Sequence, residues 1–155
     1  MLAYDDPNYL HNEVNKMQNS IISTEIYWLT LTVAMSGILW LPYIINRLYE
    51  EGIGKALWNP EPDVGPKAQW AVRMMAAHEN AVENLVIFAP LVLIIQVLGI
   101  NNESTAFACA LYFFSRLAHY LVFSFGIPVL RVVIFIISFY AQVLLAVAIF
   151  NRIVL

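Results

Sequence analysis

Charged residues are scarce in this chain, and cysteine is almost absent. Only 12% of the 155 residues are Asp, Glu, Lys or Arg, about half the share of an ordinary soluble domain. The eight basic residues form no stripe or cluster and the net charge is −3, which argues against a nucleic-acid surface. The single cysteine, Cys109, lies in an apolar run; it has no partner for an intrachain disulfide and reads as a packing residue. No HExxH, paired CxxC or carboxylate-rich loop suggests a metal. No GxGxxG or GxxxxGK[ST] loop cradles phosphate, and Gly52-Ile-Gly54-Lys55 is too short to count. No serine or cysteine stands beside a base as an activated nucleophile. Residues 1–19 are polar and mildly acidic, so no cleavable signal peptide is expected. Internal repeats and low-complexity segments are also missing.

What the chain has instead is apolar material: 61% hydrophobic residues and a mean hydropathy of +0.69. It falls in four long runs, not in the short alternating segments of a membrane β-barrel. The fold class expected is therefore all-α, an integral membrane four-helix bundle, with one domain over residues 1–155. The spans are expected at about 21–45, 67–98, 104–125 and 129–151, with Pro42 kinking the first and Pro90 the second. Ser104 is the expected cap of the third span and Glu25 is expected at the membrane interface. Residues 46–66, rich in Gly, Pro and charge, read as a polar surface loop. Arg47, Lys55 and Lys67 between the first two spans, and Arg131 past the 3–4 turn, are expected to place both loops on the cytoplasmic side and both termini opposite. Asn102-Glu-Ser104 matches a glycosylation sequon, a three-residue pattern that chance supplies often.

The informative residues are the polar ones within these spans, because a charged side chain at a bilayer centre costs roughly 2.5–3.5 kcal/mol on insertion scales. At 100° per residue, Gln69, Arg73, Asn80, Glu83 and Asn84 share one stripe of the second span, with Glu79 beside Glu83 and His78 pointing elsewhere. The third span gathers Tyr112, Arg116, His119, Tyr120 and Phe123 within about 100° of arc. Arg116 lies too deep to snorkel, so a carboxylate partner is expected, Glu83 or Glu79. The fourth span opens with Arg131 and continues through Phe135, Ser138 and Gln142. Each group also has a plainer role: a Glu83–Arg116 pair fixing register, Asn80 and Asn84 as interhelical hydrogen-bond glue, and His78 as a packed histidine. An inventory of arginines, asparagines, glutamate and tyrosines suits holding a small anionic, peptide-like molecule.

Three elements carry a family resemblance: Arg73-x4-His78-x-Asn80-x2-Glu83 with Phe88 and Pro90, then Arg116-x2-His119, then Gly126-Ile-Pro-x2-Arg131. In order and spacing the chain resembles the MAPEG superfamily, membrane-associated proteins in eicosanoid and glutathione metabolism, and among them a bacterial-type member. The resemblance implies a homotrimer whose sites lie at subunit interfaces near the cytoplasmic face. It implies glutathione as co-substrate, contacted by Arg73, Asn80, Glu83, Arg116, His119 and Tyr120, with Arg131 as the catalytic cation stabilising the thiolate. A thiol of pKa about 8.5 is only a few per cent ionised at neutral pH, so a fixed cation raises the population of the nucleophile.

The activity implied is a membrane-bound glutathione-dependent transferase or peroxidase acting on lipophilic electrophiles or lipid hydroperoxides that arrive from the bilayer. The chain also departs from the family pattern. Ala76 stands where glutathione-using members commonly carry an arginine, and Glu79 where some carry another. Phe123 occupies a frequent tyrosine position, and Val132 and Phe135 replace hydroxyl residues of the prostaglandin-synthase branch. A hydrogen bond to a charged group contributes about 1.5–3 kcal/mol, so these losses weaken an anion site. They favour the alternative, a non-enzymatic trimer that binds or presents a lipid. A third reading is a structural subunit whose polar groups only specify assembly.

Overall fold

The computed structural model describes residues 23–58 and 65–154. Every regular element among them is a helix: α1 Thr24–Ile38, α2 Leu41–Glu51, α3 Ile53–Trp58, α4 Gln69–Leu98, α5 Glu103–Ser124 and α6 Pro128–Val154. Four stretches are long and apolar enough to cross a membrane: Thr24–Glu51, Gln69–Leu98, Glu103–Ser124 and Pro128–Val154. Helices α4 and α5 form the centre. Helices α1 and α6 each pack on both of them but hardly on each other, so they occupy opposite flanks. Fully buried alanines (Ala77, Ala108 and Ala141) let the backbones approach closely, as membrane helices require when no hydrophobic effect drives them together. The larger core cluster stacks Phe88 on Tyr112 with ring centroids 3.8 Å apart, and Cys109 is fully buried beside them.

The first span is not one kinked helix. It breaks at Leu39–Trp40, three residues before the proline expected to bend it, because Pro42 has no N–H to offer the carbonyl of Ile38. Side chains from two other helices close the gap. His78 Nε2 meets the Ser36 carbonyl at 3.1 Å and Tyr120 Oη donates to the Leu39 carbonyl at 2.9 Å, while Trp40 Nε1 donates to the Gly37 carbonyl at 2.7 Å. Facing a carbonyl fixes the His78 tautomer: Nε2 carries the proton, and Nδ1 accepts from Tyr43 Oη at 2.9 Å.

The expected polar loop 46–66 is helical over much of its length, in α2 and α3; residues 59–64 lie outside the described part. Pairs one turn apart support α2, Asn46 with Glu50 and Arg47 with Glu51. Glu50 also caps α4, which has only Ala68 at its N-cap: its carboxylate accepts from the backbone N–H of Lys67 at 2.7 Å and of Ala68 at 2.9 Å. Gly99 and Gly126 end α4 and α5 with positive φ (63° and 75°), and the following N–H groups of Ile100 and Ile127 reach back to Ile95 and Val122.

Another expectation is corrected at the opposite end of the bundle. Asn102, not Ser104, caps α5: its Oδ1 accepts from the N–H of Ser104 and Thr105, and Thr105 Oγ1 in turn accepts from the N–H of Asn102. The sequon amide is thereby engaged on both sides, since Asn102 Nδ2 donates to the Ile100 carbonyl. Glu25 is turned inward, only 2% exposed, and accepts from Asn101 Nδ2, the N–H of Asn102 and the Thr105 hydroxyl. It latches α1 to the α4–α5 turn. Replacing Glu25 with Ala removes three hydrogen bonds to a charged group, one of them from the buried Thr105 hydroxyl, and should cost about 1–3 kcal/mol, lowering the thermal unfolding midpoint in detergent, with Glu25→Gln closer to wild type. An unchanged midpoint in the alanine variant would remove the latch from the account.

Candidate functional site

At the other end, α4, α5 and α6 open an apolar-walled cleft of about 220 Å³ lined by Asn80, His119, Phe123, Arg131, Val132 and Phe135. Helix α6 begins with Pro128 directly after the Gly126 turn, which sets Arg131 one turn in and facing α5. Its guanidinium lies over the Phe123 ring at 4.5 Å, a stacking contact that fixes the cation at the cleft wall without neutralising it. His119 packs edge-on against Phe123 and beside Phe135.

Arg116 lies behind this wall, 1% exposed. Its Nη2 donates to Asn80 Oδ1 at 2.8 Å and its Nη1 approaches Ser138 Oγ at 3.5 Å, so one side chain of α5 joins α4 and α6. The expected carboxylate partner is not there. Glu79 and Glu83 are both exposed and make no ion pair among the described residues. Helical phase explains this: Asn80 points at α5, while Glu83 lies about 60° and Glu79 about 100° round the helix, toward the open side. Arg116 is therefore a buried cation held by neutral oxygens. Its Nε and His119 Nδ1 are buried and unpartnered.

The other sequence-derived residues fall elsewhere. Arg73 lies outside the cleft: its Nε donates to the Ser124 carbonyl at 2.9 Å, where a cation complements the C-terminal end of α5, and its guanidinium passes Gly126 closely enough that a Cβ there would sit 3.3 Å from Nε. Tyr120 is buried against α1 through the Leu39 carbonyl, on the far side of α5. His78, as its position off the stripe implied, belongs to the break in the first span. Asn84 joins helices through its backbone carbonyl, which accepts from Gln142 Nε2 at 3.1 Å, while its side chain bonds back to Asn80. Thus the cleft gathers Asn80, His119 and Arg131, with Arg116 directly behind. Among the described residues no cluster of His, Cys, Asp and Glu could hold a metal.

Four membrane-length helices around a cationic cleft define the chain as an integral, multi-pass membrane protein. A model of the MAPEG family matches residues 26–151, most of the chain and all three helices that build the cleft; the chain belongs to that family. Comparison with curated proteins and with solved structures gave no match.

The neutral support of Arg116 makes a direct test. Asn80→Ala removes a hydrogen bond to a charged group and should destabilise the protein by about 1.5–3 kcal/mol, whereas Glu83→Gln should stay within about 0.5 kcal/mol of wild type. Thermal unfolding of both variants in the same detergent measures this. The reverse order would restore the Glu83–Arg116 pair.

Proposed function

We propose that the cleft binds the anionic thiol compound glutathione and that the protein is a glutathione-dependent transferase or peroxidase for lipophilic acceptors. The observation that carries this reading is the uncompensated cationic character of the cleft: a buried guanidinium with only neutral partners and a stacked arginine, with an unpartnered imidazole nitrogen beside them. Buried charge is costly unless matched, and an anion in the cleft supplies the match. Family membership supports the choice of glutathione.

When bound, glutathione supplies the thiol nucleophile; the chain does the rest. Arg131, held rigid by Phe123, favours the ionised sulfur and so raises the fraction ready to react at neutral pH. Asn80 and His119 offer polar contacts along the wall, with Arg116 adding positive potential from behind. Phe123, Val132 and Phe135 keep water from the sulfur and give an apolar acceptor a surface to rest on.

Beside Asn80 of the cleft wall, Glu79 and Glu83 are two exposed carboxylates on a membrane-length helix. Leaving them against lipid would cost roughly 2.5–3.5 kcal/mol each at full depth. A neighbouring subunit covering that side would remove this cost, which supports the homotrimer, and the basic residues near this end support a cytoplasmic position for it. A second reading, a non-enzymatic trimer that binds or presents lipid, is favoured by Ala76 and by the exposed Glu79, which leave the rim without the extra arginines of glutathione-using relatives.

Glutathione added to the purified protein should produce saturable thiolate absorbance near the ultraviolet edge. Arg131→Leu should reduce it about tenfold or more without changing the sedimentation of the trimer. An unchanged signal in the variant removes Arg131 from the mechanism. No binding at millimolar glutathione selects the lipid reading, and sedimentation as a monomer would take away the shared site.

A further inference from the structure

The cleft is not the largest cavity. At the other end of the bundle, beside the Asn102 cap, α5 and α6 part to leave a cavity of about 600 Å³. Glu103 and His119 lie sixteen residues apart on α5, about 24 Å along its axis, so the two cavities share no wall.

The lining of this cavity is graded with depth. Glu103, Ser104 and Asn151 stand at the rim, where α5 begins and α6 nears its end. Phe107, Leu144 and Ala148 lie one to two turns further in. Asn102 and Thr105 on the same wall are committed to the cap and to Glu25. The side chains of Glu103, Ser104 and Asn151 make no hydrogen bond or ion pair among the described residues. An unpaired carboxylate, a hydroxyl and a carboxamide therefore converge over an apolar slot, at the depth where a bilayer changes from headgroup to hydrocarbon.

We propose that this cavity is a binding site for a phospholipid with a primary ammonium head, of the ethanolamine type. Glu103 accepts from the ammonium, which has three N–H donors. A choline head has none, and the carboxylate disfavours an anionic glycerol-type lipid. Asn151 Nδ2 and Ser104 Oγ donate to the phosphate oxygens. The acyl chains run down Phe107, Leu144 and Ala148 in the direction lipid chains already take. The site is independent of the glutathione reading, because none of its residues reaches the cleft.

The test uses the purified, delipidated oligomer titrated with short-chain phosphatidylethanolamine, phosphatidylcholine and phosphatidylglycerol, reading bound lipid by native mass spectrometry and the unfolding midpoint. The ethanolamine lipid should bind about tenfold more tightly than the other two, and Glu103→Gln should erase that preference. Glu103 has no partner among the described residues, so this variant is expected to keep its structure. Ala148→Trp, which fills the slot, should abolish binding of the ethanolamine lipid while leaving the oligomer unchanged. Equal affinities, a preference for the glycerol lipid, or a preference that survives in Glu103→Gln would overturn the proposal. So would loss of the oligomer in Ala148→Trp, which would assign the cavity to a neighbouring copy.

Discussion

One buried cation sets the arrangement of three helices. Arg116 lies near the middle of α5, out of reach of water, and its guanidinium must find oxygens wherever the bundle can supply them. It finds Asn80 on α4 and Ser138 on α6. Neutral acceptors meet its two terminal nitrogens without cancelling its charge, so the positive potential survives into the cleft beside it. A carboxylate in the place of Asn80 would hold the same helices together and would neutralise the site. The choice of an amide thus joins the helices and leaves the charge in place.

Around that junction the bundle uses polar side chains sparingly, each at a place where backbone groups lack partners. Arg73 answers the end of α5, Glu50 the start of α4, and His78 and Tyr120 the broken end of α1. Few of the polar groups inside the membrane-length helices are left over. Among the described residues, unpartnered groups remain in and behind the cleft wall, at the Tyr112 hydroxyl in the core and on the rim of the opposite cavity.

Much of this was readable from the chain. Four apolar runs gave four spans, since the bilayer leaves backbone groups no other partner than a helix. The stripe on α4 and the arc on α5 contain Asn80, Arg116 and His119, which the fold brings to or behind the cleft that Arg131 lines. What periodicity could not resolve was which flank of a stripe faces which helix. Arg73 and Tyr120 share the sequence face of Asn80 and Arg116, yet lean to the other side of the α4–α5 contact, a matter of crossing geometry and not of spacing. Glu83 looked like the partner of Arg116 because charge was weighed above angle. The caps made by Glu25 and Glu50 join residues seventeen to eighty positions apart, and no local pattern announces them. Residues 46–58 were read from their glycines and charges as a loop, but α2 holds its glycine at the C-cap, where helices tolerate it.

The Glu25 latch also has a meaning in time. The carboxylate emerges from the ribosome with α1, whereas the hydroxyl it accepts from, on Thr105, lies 80 residues later. At synthesis rates of about 5–20 residues per second, the first helix waits on the order of 4–16 s for that partner. Until α5 arrives, a nascent α1 carries an acidic group with nothing to hold it. The latch can therefore close only once the third span has begun to emerge, so the contact that fastens the finished bundle is also among the last that its first helix makes.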